Sequence, residues 1–408
     1  MLKFYKNHQG KTILVAVVAA FVLGIVTPRI FPHLEFISST FINLLKLCAL
    51  PIVLTSLIVT IGNLNQLSDL KIVARNSVIY IVLTEIIAVT IGLVVFNLVD
   101  ISGNIHAESL LSGAKYTEST ATAIIPSQIF NYIFPSNIFQ SLVNFDVLPI
   151  VAFSIMFGIT CALNQNKARP VLDFMHSARE MFLALLNGVM YLAPLAIFVL
   201  IGTSVAESYL SGALSNNLWG LLRFVGLFFV ALFIHFLWQL MLVVSLYSEL
   251  GIKRVLTEAL PIFTTAFVSS SSLATLPLAL EKAELLGGKK KVINFMLPIC
   301  ASMNFASGMM YEMAACLFFM HILGIHPDLL QQILLALACI LTGIAVGGIP
   351  ETSMVSFVTV FGMANIPLSA IAILMPLDRI VDRVRTMVNI FGNTCGTLIV
   401  SKSIKDNP

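Results

Sequence analysis

The last long apolar segment, residues 376–400, is interrupted by five charged side chains: Asp378, Arg379, Asp382, Arg383 and Arg385. An Asp or Arg at the centre of a membrane helix costs about 2.5–3.5 kcal/mol on insertion scales, so such a helix cannot face lipid. The segment is therefore predicted to be a helix enclosed by other helices. Its charges must pair inside the protein or face a water-filled cavity.

The same segment predicts a polar stripe on one side of that helix. At about 100° per residue, Asp382, Arg385, Asn389 and Asn393 fall within roughly 80° of one another, with Thr386 beside them. The helix thus presents an acid, a guanidinium, a hydroxyl and two amides together. Such a stripe suits a zwitterionic small molecule that carries an additional acidic group.

Composition places the chain among polytopic membrane proteins. Of its 408 residues 58% are hydrophobic and only 11% are charged, whereas soluble domains average about 25% charged residues. The net charge of +3 gives no indication of nucleic-acid binding. Lys3, Lys6 and Lys11 flank the first apolar run, which predicts a cytoplasmic N-terminus. That run is interpreted as a retained span and not as a signal peptide.

Two apolar segments of the second half are interrupted near their middle. Residues 257–286 form two short arms around the serine run 269–272, and residues 329–374 form two arms around 347–353. Each arm of the first segment has about a dozen residues, which falls short of the roughly 20 that span a bilayer. Interrupted segments in corresponding positions indicate a transport site, because irregular backbone survives at membrane depth only around a cavity. Their helix ends offer free N–H groups that attract a carboxylate.

Four motifs together resemble the dicarboxylate/amino acid:cation symporter family, the glutamate transporter homologues. They are Cys48-Ala49-Leu50-Pro51-Ile52-Val53 in the second span, the serine-rich tip at 269–277, Gly347-Gly348-Ile349-Pro350, and Arg385-Thr386-Met387-Val388-Asn389. The resemblance runs nearly end to end. It implies an all-α polytopic membrane protein with eight transmembrane helices and two re-entrant helical hairpins, the elevator fold, assembled as a homotrimer.

The resemblance also implies a division of the chain and a location. Residues 1–250 would form mainly scaffold and trimerisation spans, with the third span contributing to the transport region. Residues 251–408 would form the transport core, with hairpins 257–286 and 329–374 and the last span 376–400. The protein is expected among the lipids of a bacterial inner membrane, with both termini cytoplasmic. No enzymatic activity, cofactor or metal is predicted.

The family's binding roles carry over to matching positions. Asp382 would bind the substrate amino group, Arg385 its side-chain carboxylate, and Thr386 and Asn389 the remaining polar atoms. The first hairpin tip would contribute Ser270 and Ser272. The second tip would act as the gate, and its residues are Gly348, Ile349, Pro350, Glu351 and Thr352.

Two departures from the family pattern concern sodium. Where the family carries Asn-Met-Asp-Gly-Thr, the chain reads Asn304-Phe305-Ala306-Ser307-Gly308, so Ala306 replaces an acid. Asn393 stands where a second sodium carboxylate is usual. Hard cations are held by oxygen ligands, preferably anionic ones. Loss of sodium coupling is therefore predicted, although backbone carbonyl ligands leave sodium coupling open as an alternative.

Two other acids in apolar segments suggest protons as the coupling ion. Glu312 matches the protonatable glutamate of proton-coupled members, and Arg383 matches its usual partner. Glu85 lies in the third span, where the family has a small hydroxyl residue near a sodium site. A carboxyl group in a dry site binds a proton readily. The alternatives are a static Glu312–Arg383 ion pair and a purely structural Glu85.

The predicted substrate is an acidic amino acid, aspartate or glutamate. Gly308 would leave more room than the family's threonine, and Glu351 would add a charge. A larger or neutral amino acid, or a dicarboxylate, therefore remains an alternative substrate. Sodium-coupled transport and exchange transport remain alternative modes. A non-transporting sensor and an anion channel are further alternatives. A membrane serine hydrolase is disfavoured because the serine run sits at a hairpin tip without a placed base.

Overall fold

The structure is a computed structural model that describes residues 2–63, 71–99, 105, 110–111, 134, 136–144, 147–247, 250–346 and 353–404. Every regular element in these residues is helical. The helices of the first half are α1 Leu2–Val26, α2 Glu35–Gly62, α3 Lys71–Leu98, α4 Ile138–Asn144, α5 Val147–Leu163, α6 Gln165–Val189, α7 Ala193–Leu210 and α8 Leu214–Leu246. Those of the second half are α9 Ile252–Ser269, α10 Ser272–Leu285, α11 Lys290–Met303, α12 Ala306–Ile322, α13 Leu329–Val346, α14 Ser353–Met363 and α15 Ser369–Ser403.

Within the described residues, 5 helical segments are long and apolar enough to cross a membrane: Pro28–Gly62, Ile72–Leu98, Gln165–Leu210, Leu214–Leu246 and Lys290–Ile322. Shorter apolar helices cover Val15–Val26, Ala152–Leu163 and Leu329–Ile344. The chain is thus an all-helical protein of the polytopic membrane class. The helix α15 is absent from the first set because its charged and polar residues lower its hydropathy.

The first interrupted segment is a helical hairpin made of α9 and α10. The chain reverses at Ser270, which has the left-handed backbone conformation with φ 49°. Ser271 then caps α10, since its hydroxyl accepts a 3.2 Å hydrogen bond from the Ala274 N–H. A serine at such a cap satisfies an N–H group that the helix leaves free. The serine run therefore makes the turn itself.

The arms of the second interrupted segment are α13 and α14, and its tip at 347–352 lies outside the described residues. The predicted boundaries were wrong at its far end. The second arm ends at Met363 and not at 374, and the last helix begins at Ser369 and not at 376. The reason is a turn at Asn365, whose φ of 53° is compatible with a short polar side chain and ends the arm early.

The stretch between the two interrupted segments forms two helices and not one. Helix α11 ends at Met303, because Asn304 has an extended backbone with ψ 101°, and α12 restarts at Ala306. Every residue of α12 except His321 is buried. Helices α3, α8, α13 and α15 all pack against it. In the other half, α1 packs on α7, and α2 packs on α5 and α6.

Candidate substrate and coupling site

The polar stripe predicted on the last span lies on the buried side of α15. The exposed fraction is 1% for Arg385, 5% for Thr386, 4% for Asn389 and 0% for Asn393. Asp382 is more accessible, with 31% of its side chain exposed. The helix therefore turns its charged residues into the protein, as the cost of charge in lipid requires.

Arg385 is held by two carboxylates. Its Nη2 lies 3.0 Å from Asp382 Oδ1 and 2.5 Å from Asp378 Oδ1. The sequence analysis assigned no role to Asp378, although it stands two helical turns before Arg385 and thus on the same face. Two carboxylates of α15 thus contact one guanidinium.

Two aromatic rings flank the same guanidinium. The Cζ of Arg385 lies 4.6 Å from the ring centroid of Tyr311 and 5.9 Å from that of Phe305. Both distances fall within the range of cation–π attraction. The Tyr311 ring is fixed in turn by Phe228, whose centroid is 4.9 Å away. Sequence reasoning missed both rings, because their contact depends on how α12 packs against α15.

Arg383 does not meet Glu312. Its Nη1 donates to the backbone carbonyls of Phe267 at 2.8 Å and Val268 at 3.2 Å, and its Cζ lies 5.7 Å from the Phe267 ring. These carbonyls belong to the last turn of α9, where a cation is favourable. The Glu312–Arg383 ion pair considered from the sequence is therefore wrong for this structure. Arg383 ties the first hairpin to α15, beside the turn formed by Ser270 and Ser272.

Glu312 is fully buried on α12, with 0% exposure. Within the described residues neither carboxyl oxygen has a hydrogen bond of normal geometry. The hydroxyls of Thr342 on α13 and Ser356 on α14 lie beside it, and Arg385 is the basic group whose charge it feels. Glu312 thus lies beneath both arms of the second hairpin.

Glu85 on α3 is also buried at 0% exposure. Its carboxyl group lies beside the backbone of Phe305 and near the thiol of Cys300, at the break between α11 and α12. Among the described residues, neither of its oxygens has a hydrogen bond of normal geometry. A charge is costly in such a place unless it is paired.

An amide pair lies beside the positions at which the family's acids are missing, Ala306 and Asn393. The Asn304 Nδ2 donates a 2.8 Å hydrogen bond to the Asn393 Oδ1. One turn earlier on α15, the Asn389 Oδ1 accepts a 3.0 Å bond from the Ser307 N–H. Ala306, between these two links, is 2% exposed. Both hydrogen bonds between the start of α12 and α15 are made by neutral groups.

The extra room expected at Gly308 is filled. A Cβ atom placed on Gly308 would lie 2.0 Å from Cε1 of Phe305, far inside van der Waals contact. The expectation failed because the residue that replaces the family's methionine, Phe305, turns its ring over the glycine. The predicted gate residues Gly348, Ile349, Pro350, Glu351 and Thr352 lie outside the described residues.

Two glycines of α15 allow α3 and α8 to approach closely. The Tyr80 ring lies 2.0 Å from where a Cβ of Gly396 would be, and the Gln239 amide 2.3 Å from that of Gly392. Glycines four residues apart in an apolar helix are a known signal of close helix packing. The sequence analysis did not use it. In the described part of the chain, no cluster of three or more His, Cys, Asp or Glu side chains is placed to hold a metal.

The buried charged stripe, the two helical hairpins and the apolar helices together define a membrane transport protein. The model of the sodium:dicarboxylate symporter family matches residues 10–403, and the chain belongs to this family.

Among its relatives is a proton/sodium-glutamate symport protein of Geobacillus stearothermophilus, 29% identical over 92% of this chain and 89% of that protein. The proton/glutamate-aspartate symporter of Escherichia coli is 28% identical over 89% of this chain and 83% of its own length. A C4-dicarboxylate transport protein of Bacillus subtilis is 26% identical over 98% of this chain and 94% of that protein.

Proposed function

We propose that the chain is a proton-coupled symporter of an acidic amino acid, aspartate or glutamate. The observation that carries the proposal is the position of Glu312: fully buried, within the electrostatic influence of Arg385, and beneath both arms of the second hairpin. A carboxyl group there gains or loses a proton as the hairpin closes or opens the site to water. The second hairpin would thereby control access of both the proton and the substrate.

The charges on α15 favour a substrate with an amino group. Asp382, beside Arg385, is partly exposed and is the carboxylate that would accept a substrate ammonium. Arginine binds carboxylates through paired N–H groups, which suits the side-chain carboxylate of the substrate. A dicarboxylate without an amino group would bring a carboxylate and not a cation to Asp382. An acidic amino acid therefore fits better than a C4-dicarboxylate.

The neutral groups at Ala306 and Asn393 support protons over sodium. The Asn304–Asn393 bond occupies amide groups without supplying charge to a cation. Glu85 lies beside the backbone of Phe305, at the break between α11 and α12, and we assign it the position of a second proton carrier in place of sodium. Transport would follow the family's elevator movement in a homotrimer of the bacterial inner membrane, with both termini cytoplasmic.

Sodium coupling is the second candidate, and one observation favours it. Within the described residues, Thr84 Oγ1, Asn304 Oδ1 and both Glu85 oxygens are buried without a hydrogen bond of normal geometry. Oxygens of this kind can coordinate a hard cation. Under this candidate Glu85 supplies the anionic ligand that Ala306 does not.

The test is uptake of radiolabelled aspartate and glutamate into proteoliposomes under an imposed pH gradient or an imposed sodium gradient. The proposal expects accumulation driven by protons in the complete absence of sodium. Glu312→Gln, which mimics a permanently protonated side chain, should lose net accumulation and keep exchange of internal for external substrate. Glu281→Gln is the matched control, because 63% of that side chain is exposed.

Other outcomes identify the alternatives. Accumulation that requires sodium and survives Glu312→Gln would contradict proton coupling and support the second candidate. Substrate binding without flux would indicate a sensor, and current without substrate uptake an anion channel. Preferred uptake of a neutral amino acid or a dicarboxylate would contradict the role given to the charges on α15.

A further inference from the structure

Phe305 occupies space that a side chain at position 308 would need. It stands at the break between α11 and α12, and its ring folds over Gly308 in the first turn of α12. A Cβ on Gly308 would lie 2.0 Å from Cε1 and 2.1 Å from Cδ1 of the ring. Non-bonded carbons approach to about 3.5–4.0 Å. The Phe305 ring can therefore lie in this position only because residue 308 is a glycine.

The ring forms part of the cover of Arg385. The guanidinium is nearly closed off, with 1% of the side chain exposed, and its Cζ lies 5.9 Å from the Phe305 centroid. Phe305 itself is only partly buried. It is thus the more accessible of the two rings beside the guanidinium, whereas the closer ring, that of Tyr311, is fully buried.

We propose that Phe305 sets the length of the substrate side chain, so that the site prefers one methylene between the α-carbon and the carboxylate. The preferred substrate class is then the aspartate-type amino acid over the glutamate-type. The inference rests on the proposed function, in which Asp382 binds the amino group and Arg385 the side-chain carboxylate.

The geometry of these two anchors explains the limit. They stand three residues apart on one helix, and their side chains are 3.0 Å apart, so a substrate that meets both must bring its amino group and its side-chain carboxylate close together. In this proposal, an additional methylene next to Arg385 would meet the Phe305 ring. One methylene more or less in a closed pocket changes selectivity by about 10- to 200-fold.

The first experiment measures how aspartate and glutamate compete with radiolabelled aspartate uptake in proteoliposomes. Phe305→Ala and the milder Phe305→Met should shift the ratio of the two inhibition constants toward glutamate, by at least about 5-fold for Phe305→Ala. Phe233→Ala is the control, since Phe233 lies on α8 and is 58% exposed. An unchanged ratio in both Phe305 variants would overturn the inference.

The second experiment moves the ring without removing it. Gly308→Ala must displace Phe305, and affinity for both amino acids should fall; adding Phe305→Met should restore it. Gly226→Ala is the matched control, because a Cβ there meets nothing within 4 Å. Substrate-induced thermal stabilisation of the purified protein reports binding in variants that no longer transport. A Gly308→Ala variant with unchanged affinity would contradict the inference.

The two proposals fail in different ways. If wild-type protein binds neither acidic amino acid, the proposed function falls and the inference falls with it. If wild-type protein transports both and the Phe305 variants leave their ratio unchanged, only the inference falls.

Discussion

The hydroxyl of Tyr80 on α3 donates a 2.7 Å hydrogen bond to the backbone carbonyl of Gly392 on α15. The partners are separated by 312 residues in the chain. The bond links the third span to the helix that carries the substrate stripe, one residue before Asn393. Because the Tyr80 ring also lies against Gly396, this contact depends on the absence of a side chain at position 396.

We predict that Gly396→Ala destabilises the protein more than Tyr80→Phe does. Tyr80→Phe removes one buried hydrogen bond, which costs about 0.5–1.5 kcal/mol, because the Gly392 carbonyl keeps its bond within the helix. Gly396→Ala forces α3 away from α15, since the added Cβ would lie 2.0 Å from Tyr80 Cε1. Thermal unfolding in detergent compares the two variants. Gly226→Ala is the control, and equal melting temperatures for Gly396→Ala and the control would contradict the prediction.

Arg385→Lys should weaken binding of an acidic amino acid by about 10- to 100-fold. Lysine keeps the positive charge but loses the planar fork that meets a carboxylate with two N–H groups. Binding is measured by isothermal titration or by substrate-induced thermal stabilisation. The control is Lys282→Arg, a cation on α10 paired with Glu258 at 3.1 Å. Unchanged affinity for aspartate in Arg385→Lys would show that the substrate carboxylate binds elsewhere.

Arg383→Met should loosen the tip of the first hairpin. The variant loses both hydrogen bonds to the last turn of α9, while methionine retains part of the apolar contact with Phe267. Hydrogen–deuterium exchange is expected to become faster in residues 267–272 and to stay unchanged in α12. Arg383→Lys should show an intermediate effect. Exchange that is identical to wild type would mean that the guanidinium does not restrain the tip.

Restoring the family's acid should restore a response to sodium. In the double variant Ala306→Asp with Glu85→Ser, a carboxylate returns beside Asn304 and the competing acid on α3 is removed. Uptake should then be stimulated by sodium, because an anionic oxygen offsets the dehydration of the ion. Ala306→Asn with Glu85→Ser is the uncharged control. A folded double variant that remains indifferent to sodium would contradict our interpretation of these two positions.

The sequence predicted well those features that depend on one segment alone. The polar stripe of α15 follows from helical periodicity and from the cost of charge in lipid, and the structure buries it as expected. The serine turn between α9 and α10 follows from the shortness of the arms and from serine's preference for helix caps. These are local properties, and no knowledge of neighbouring helices is needed to predict them.

Features that depend on two or more segments were predicted poorly. Nothing in the chain near Arg383 indicates that its guanidinium reaches the carbonyls of α9 and not Glu312. The ring of Phe305 fills the space over Gly308 because of a helix break that composition does not reveal. The glycines at 392 and 396 had a usable spacing signal on α15, but their partners on α3 and α8 had none.

Glu312 touches hydroxyl groups from both arms of one hairpin, Thr342 on α13 and Ser356 on α14. Under the proposed function, this arrangement couples both arms of the hairpin to a single carboxyl group. Neither arm can swing outward without changing the surroundings of the carboxyl group. Proton movement without substrate would then be suppressed by the structure of the hairpin itself. The ratio of protons to substrate would be set by the hairpin and not by the ion gradients.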